Sequence, residues 1–130
     1  MAYQASQPLK ITLEAAADLS AKQYHFVKVD SNGKAAACAA LTDVPVGVLQ
    51  NDPTAGQTAE IVVVGVSKVS SDAALNEGDL IGPSADGQAD ARVIGTDTTH
   101  YVGGQMLTAT GAAGVIGTAI INCATPARAA

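Results

Sequence analysis

An all-β fold, a small barrel or sandwich of short antiparallel strands, follows from three observations on this sequence. The longest apolar run, T-A-E-I-V-V-V-G-V-S-K-V at residues 58–69, is almost purely β-branched in its middle, which favours a pleated strand over a helix. Short apolar segments recur along the chain with Gly, Pro, Asn and Asp between them. The stretch richest in helix formers, residues 14–21, has room for about two turns, too few to stand alone. The 130 residues fit one domain, long enough to bury roughly two thirds of the extended surface.

In order, residues 1–8 are polar, aperiodic and closed by Pro8, an extended N-terminal arm. Residues 9–13, L-K-I-T-L, alternate strictly and predict a first strand with Leu9, Ile11 and Leu13 inward. After the connection 14–21, Q-Y-H-F-V-K-V at 23–29 reads as a strand. Asp30-Ser31-Asn32-Gly33 then supplies a hairpin turn, because Asn-Gly tolerates the positive φ such turns need. Its partner, 34–40, is nearly all Ala and Cys, and side chains this small predict close approach of another backbone. Residues 44–50 follow, with Pro45 restricting them to an edge or a strand start.

A loop at 51–57 leads into the long strand, and residues 70–77 hold one short turn ended by Gly78. Segments 79–82 and 88–94 flank an Asp86-Gly87 turn, and 100–108 and 115–123 form a last pair. Residues 9–123 thus make one β domain, and 124–130, containing Pro126, a flexible tail.

Composition narrows the function. The chain has 26 alanines, one Phe, three Tyr and no Trp, so few aromatic platforms exist for sugars or bases. A net charge of −5 without a basic cluster argues against nucleic acid and against an anionic membrane surface. No window approaches a membrane span, and M-A-Y-Q-A-S-Q-P lacks a signal pattern, so a soluble protein made in the cytoplasm is expected.

No constellation of catalytic or metal-binding residues emerges, and neither an enzyme, a cofactor nor a metal site is expected. His25 and His100 lie 75 positions apart without the short ligand spacing zinc uses. Cys38 sits in an alanine run with only Lys34 nearby to lower its pKa, a poor setting for a nucleophile. Cys38 and Cys123 read first as small buried thiols, with a disulfide between them the alternative. The Gly-rich pieces around Gly65 and Gly103-Gly104 lack the setting of phosphate loops and read as bulges or tight sheet contacts.

The order of features carries a resemblance. An apolar early strand precedes V-P-V-G-V-L, then come a Gly-containing loop at 53–57 and a β-branched strand with an internal Gly. N-E-G-D-L-I at 76–81, a D-G turn and a late V-G-G-Q-M-L segment complete the pattern. Over residues 9–122 this resembles the head decoration, or capsid cement, proteins of tailed bacteriophages. The resemblance implies a β-barrel or β-tulip-like domain on the outer surface of a virion. There it would bridge major capsid protein subunits and self-associate, as a homotrimer at local three-fold positions or a dimer at two-fold positions. The family has no catalytic residues to transfer. The arm residues Ala2, Tyr3, Gln4, Ala5, Ser6, Gln7 and Pro8 become candidates for contact with the capsid. A carbohydrate- or receptor-binding barrel is the alternative, weakened by the missing Trp.

The long strand is apolar on both faces, whereas a strand with one face in water alternates. With few large side chains to cover it, one face is expected inside the barrel and the other at a subunit contact through Val62, Val64 and Val66.

Overall fold

The computed structural model describes residues 7–130, and every regular element among them is a strand. In chain order these are β1 (Leu9–Glu14), β2 (Phe26–Val29), β3 (Ala35–Ala37), β4 (Gly47–Leu49), β5 (Thr58–Ser70) and β6 (Leu80–Pro83). They continue with β7 (Ala89–Arg92), β8 (Tyr101–Val102), β9 (Gly104–Met106), β10 (Ile116–Asn122) and β11 (Ala127–Arg128). Nine strands form one antiparallel sheet in the order β3-β2-β4-β5-β10-β9-β6-β7, with β1 also on β5, while β8 and β11 make a separate ribbon. The sheet curls into a half-barrel. Phe26 N–H donates to Gly87 C=O at 2.7 Å, joining β2 to the β6–β7 turn, and Ala15 bridges Ala35.

The expected central strand is central. Ile61 and Val62 are each paired on both edges, by Ile11 and Lys10 of β1 and by Leu49 and Val48 of β4, and the second half of β5 pairs β10. Its pleat separates two apolar clusters. Val62 and Val63 enter the larger, with Phe26, Val48, Ile81, Met106 and Ile121. Ile61 and Ala59 enter the smaller, with Val27, Leu49, Ala15 and Leu19. The second cover over the first half of β5 therefore comes from the same chain. The 14–21 connection supplies it, folding Ala15 and Leu19 down while Leu19 N–H bonds to Pro53 C=O at 2.9 Å.

Several strands are shorter than the sequence predicts, each for a local reason. Residues 23–25 turn instead of extending, with His25 N–H bonded to Lys22 C=O and Tyr24 at φ 65°. The alanine strand stops at Ala37 because the Asp43 carboxylate accepts the N–H groups of Ala39 and Ala40 at 2.8 and 3.2 Å, bending the chain. The strand expected over 100–108 splits at Gly103 into β8 and β9, which belong to different sheets. A Cβ at Gly103 would stand 2.7 Å from the Phe26 ring, so this crossing point is closed to larger residues. The tight sheet contact expected at Gly103-Gly104 is present, Gly104 lying over the Ile120 carbonyl, and Gly47 makes a further one over the Val62 carbonyl.

The C-terminal segment corrects an expectation. Residues 124–130 are not a loose end: Ala127 and Arg128 pair with Val102 and Tyr101, and Ala129 is buried. Ala129 N–H donates to His100 C=O and its own carbonyl accepts from Gly95, both at 2.8–2.9 Å. Beneath the ribbon, the buried Arg92 guanidinium donates to the carbonyls of Tyr101 and Pro83 and to Asp90.

Candidate functional site

Beyond Val64 the two faces of β5 diverge. Ser67 and Val69 stay buried, whereas Val66 is 56% exposed. Directly opposite Val66 lies Ile120 of β10, 46% exposed; opposite Ile120 lies Gln105 of β9, and opposite Gln105 lies Leu80 of β6. One row of side chains thus crosses four strands on the outside of the curl. Where it approaches the β8–β11 ribbon it deepens into a groove of about 310 Å³, floored by Leu80 and Ile120 and walled by Val102, Thr125 and Ala127. The lining is aliphatic with a few amides and hydroxyls, which suits a protein surface better than a charged small molecule.

At its other end the row meets the start of β1. Leu9, 55% exposed, lies opposite Val64, and the register slips by one residue between Leu9 and Lys10. The extra residue on β5 is Val63; Gly65, two positions on, has φ 141°, and a Cβ there would stand 2.7 Å from Pro8 Cβ. Pro8 therefore rests on Gly65.

The candidate residues separate accordingly. Val64 is half-buried and Val66 exposed, so both border this face. Val62 does not: it is 1% exposed inside the larger cluster and has no surface to offer a partner. Of the arm, Gln7 is exposed and Pro8 half-buried, while Ala2, Tyr3, Gln4, Ala5 and Ser6 lie outside the described residues. Sequence reading missed Ile120 and Leu80. In I-G-T-A-I-I-N both Ile120 and Ile121 look like core, and only the pleat shows that Ile121 points in and Ile120 out.

The groups examined for chemistry have other occupations. Burial pushes both the Cys38 and Cys123 thiols up to about 12, and both are free. Thiols so disposed stay protonated and make poor nucleophiles. Burial also lowers the His25 pKa, against an opposing contribution from the Gln23 carbonyl that lies 3.1 Å from Nδ1. His100 Nδ1 lies 3.6 Å from Asp97, on the loop that leads into β8. Among the described residues, no three His, Cys, Asp or Glu side chains gather as metal ligands, and no helix is long and apolar enough to cross a membrane.

No protein-family model matches the sequence, and no curated protein sequence does. In solved structures the fold does recur. The crystal structure of the N base of the head fibre gp8.5 of bacteriophage phi29 superposes with a TM-score of 0.66 at 17% identity. The match covers 90% of this chain and 96% of that one, so this chain shares the all-β architecture of a phage head-fibre base over nearly its whole length.

Proposed function

We propose that this chain is a structural protein of a phage virion that binds the outer surface of the head and stabilises it by bridging major capsid protein subunits. The observation that carries the reading is the fold shared, over 90% of the chain, with the base of a head fibre. The apolar face of Val64, Val66, Ile120 and Leu80 supports it. In this reading the arm and the face together meet the shell, where modest contacts repeated over a lattice add up by avidity. Self-association belongs to it too, as a trimer at local three-fold positions or a pair at two-fold positions. The role is non-catalytic, in keeping with the protonated thiols, and the protein is made in the host cytoplasm before joining the virion. A carbohydrate-binding role gains nothing from a groove walled by Val, Thr and Ala in a chain without Trp.

The test uses phage shells prepared without this protein. Added protein should bind them at saturating stoichiometry and raise their resistance to heat and chelator. Shells that fail to bind it, or that are equally robust without it, would sink the proposal.

A further inference from the structure

We propose that His25 makes the closure of the half-barrel pH-dependent: once protonated, it releases segment 22–26 from the turn between β6 and β7.

The closure is narrow. β2 lies near one end of the sheet and β7 at the other, and among the described residues one main-chain hydrogen bond joins β2 to the β6–β7 turn, Phe26 N–H to Gly87 C=O at 2.7 Å. Lys22 Nζ adds a bond to Asp86 C=O at 3.2 Å. The contact is tight: a Cβ on Gly87 would stand 3.0 Å from the Phe26 carbonyl oxygen, 3.3 Å from that of Cys38 and 3.5 Å from His25 Cβ. Segment 22–26 is also strained. Tyr24, at φ 65°, is the one non-glycine residue with positive φ among the described residues, a conformation that costs a bulky side chain energy. It is held there by its N–H bond to Leu49 C=O at 2.7 Å and by Ser70 N–H on its own C=O at 2.9 Å. A strained segment fastened by few bonds is the kind of element that opens locally.

His25 sits in this closure with its ring half-buried and Nδ1 3.1 Å from Gln23 C=O. Lys22 lies on its own segment, Asp86 on the facing turn and Cys38 beside Gly87, while Lys68 of β5 stands over the neighbouring Tyr24 ring at 5.8 Å. A proton on the ring needs water that the closed segment excludes, and burial is the first cause that holds the His25 pKa below 6.5. Lys22 repels the charge as well, and together they outweigh the Gln23 carbonyl and Asp86, which favour it. Asp86 is partly engaged elsewhere, its Oδ1 accepting from Ser84 Oγ at 2.6 Å and from Gln88 N–H at 3.1 Å. The Cys38 thiol, pushed up to about 12, brings no charge. When the segment opens, the ring regains water and its ordinary pKa, so acid favours the open form. Closure is complete above about pH 6.5, weakens as the pH falls toward the depressed value, and levels off below it.

Amide hydrogen exchange on the free protein tests this, independently of shell binding. Between about pH 7.5 and about pH 5 the open population reported by Phe26 N–H, corrected for intrinsic exchange, should rise at least about threefold. The buried Ala119 and Ile121 of β10 should keep their protection over the same range. An NMR titration of the His25 ring should give a midpoint below 6.5, and the change at Phe26 should begin near 6.5 and level off near that midpoint. His25→Gln, which takes no proton, should hold Phe26 protection constant with pH. Equal protection of Phe26 at both pH values overturns the inference, as does a His25→Gln protein that keeps the pH dependence. A loss that β10 shares is global unfolding and also overturns it. Should His25→Gln fail to fold, the wild type still decides, because a change at Phe26 that continues well below the ring midpoint has another cause and overturns the assignment to His25.

Discussion

Two valines four positions apart on β5, Val62 and Val66, should separate folding from assembly. Val62 is buried among Phe26, Val48 and Ile121, so Val62→Ala removes two fully buried methyl groups. At about 0.8 kcal/mol each, plus a cavity that closes only partly, the loss is about 2–3 kcal/mol. For a domain of this size that lowers Tm by about 8–12 °C. Val66→Asp places a charge on a side chain already 56% exposed. It forfeits partial burial and some strand preference, about 1 kcal/mol, and lowers Tm by about 3–5 °C. On shells the order reverses: the Val62→Ala protein, held below its melting temperature, should bind normally, while Val66→Asp should bind at least about tenfold more weakly. Thermal melts and a shell co-sedimentation titration, run on the same samples, give both numbers. If Val66→Asp melts as low as Val62→Ala, or binds shells like the wild type, the division of β5 into a core half and an assembly half is wrong.

Three further outcomes are expected. Gly103→Ala should destabilise by about 1–3 kcal/mol, measured by urea denaturation, because its Cβ meets a buried Phe26 ring that cannot step aside. The pKa of Asp43 lies below its ordinary value of 3.8: burial alone would raise it, but the amides of Ala39 and Ala40 and the Lys28 ammonium outweigh that. A depressed carboxylate contributes stability that is complete above the unfolded value and is lost as pH falls through the folded one. Asp43→Asn should therefore cost about 1 kcal/mol at pH 6 and much less at pH 3, by denaturant midpoints. Cys38 and Cys123 should react with a thiol reagent only as fast as the protein unfolds; rapid labelling of the native state would contradict their burial.

Where local chemistry sets the conformation, the sequence was legible. Asp30 accepts the N–H groups of Asn32 and Lys34, and Gly33 takes φ 75°, as the D-S-N-G turn requires. The β-branched run makes one 13-residue strand, β5, centred in the sheet. Strand ends were less legible, because remote groups decide them: Asp43 stops β3, and Gly103 splits what reads as one strand between two sheets. The tail misled for a related reason. A-T-P-A-R-A-A has no apolar period, yet its backbone finds partners at Tyr101, Val102 and His100.

By itself the sequence determined an all-β domain organised around residues 58–69, built from side chains small enough to let backbones pack closely. Those properties are local: β-branching stiffens χ1 toward the strand, and Gly and Asn-Gly permit the turns. It did not determine which valines of that run face outward, because both faces are written in the same residues. Tertiary pairing decided it. The 14–21 connection covers the first half of β5, the half-barrel interior takes Val62 and Val63, and only past Gly65 does the strand emerge, leaving Val66 beside Ile120 at the surface. Exposure depends on which distant segments fold over a strand, and composition alone does not carry that information.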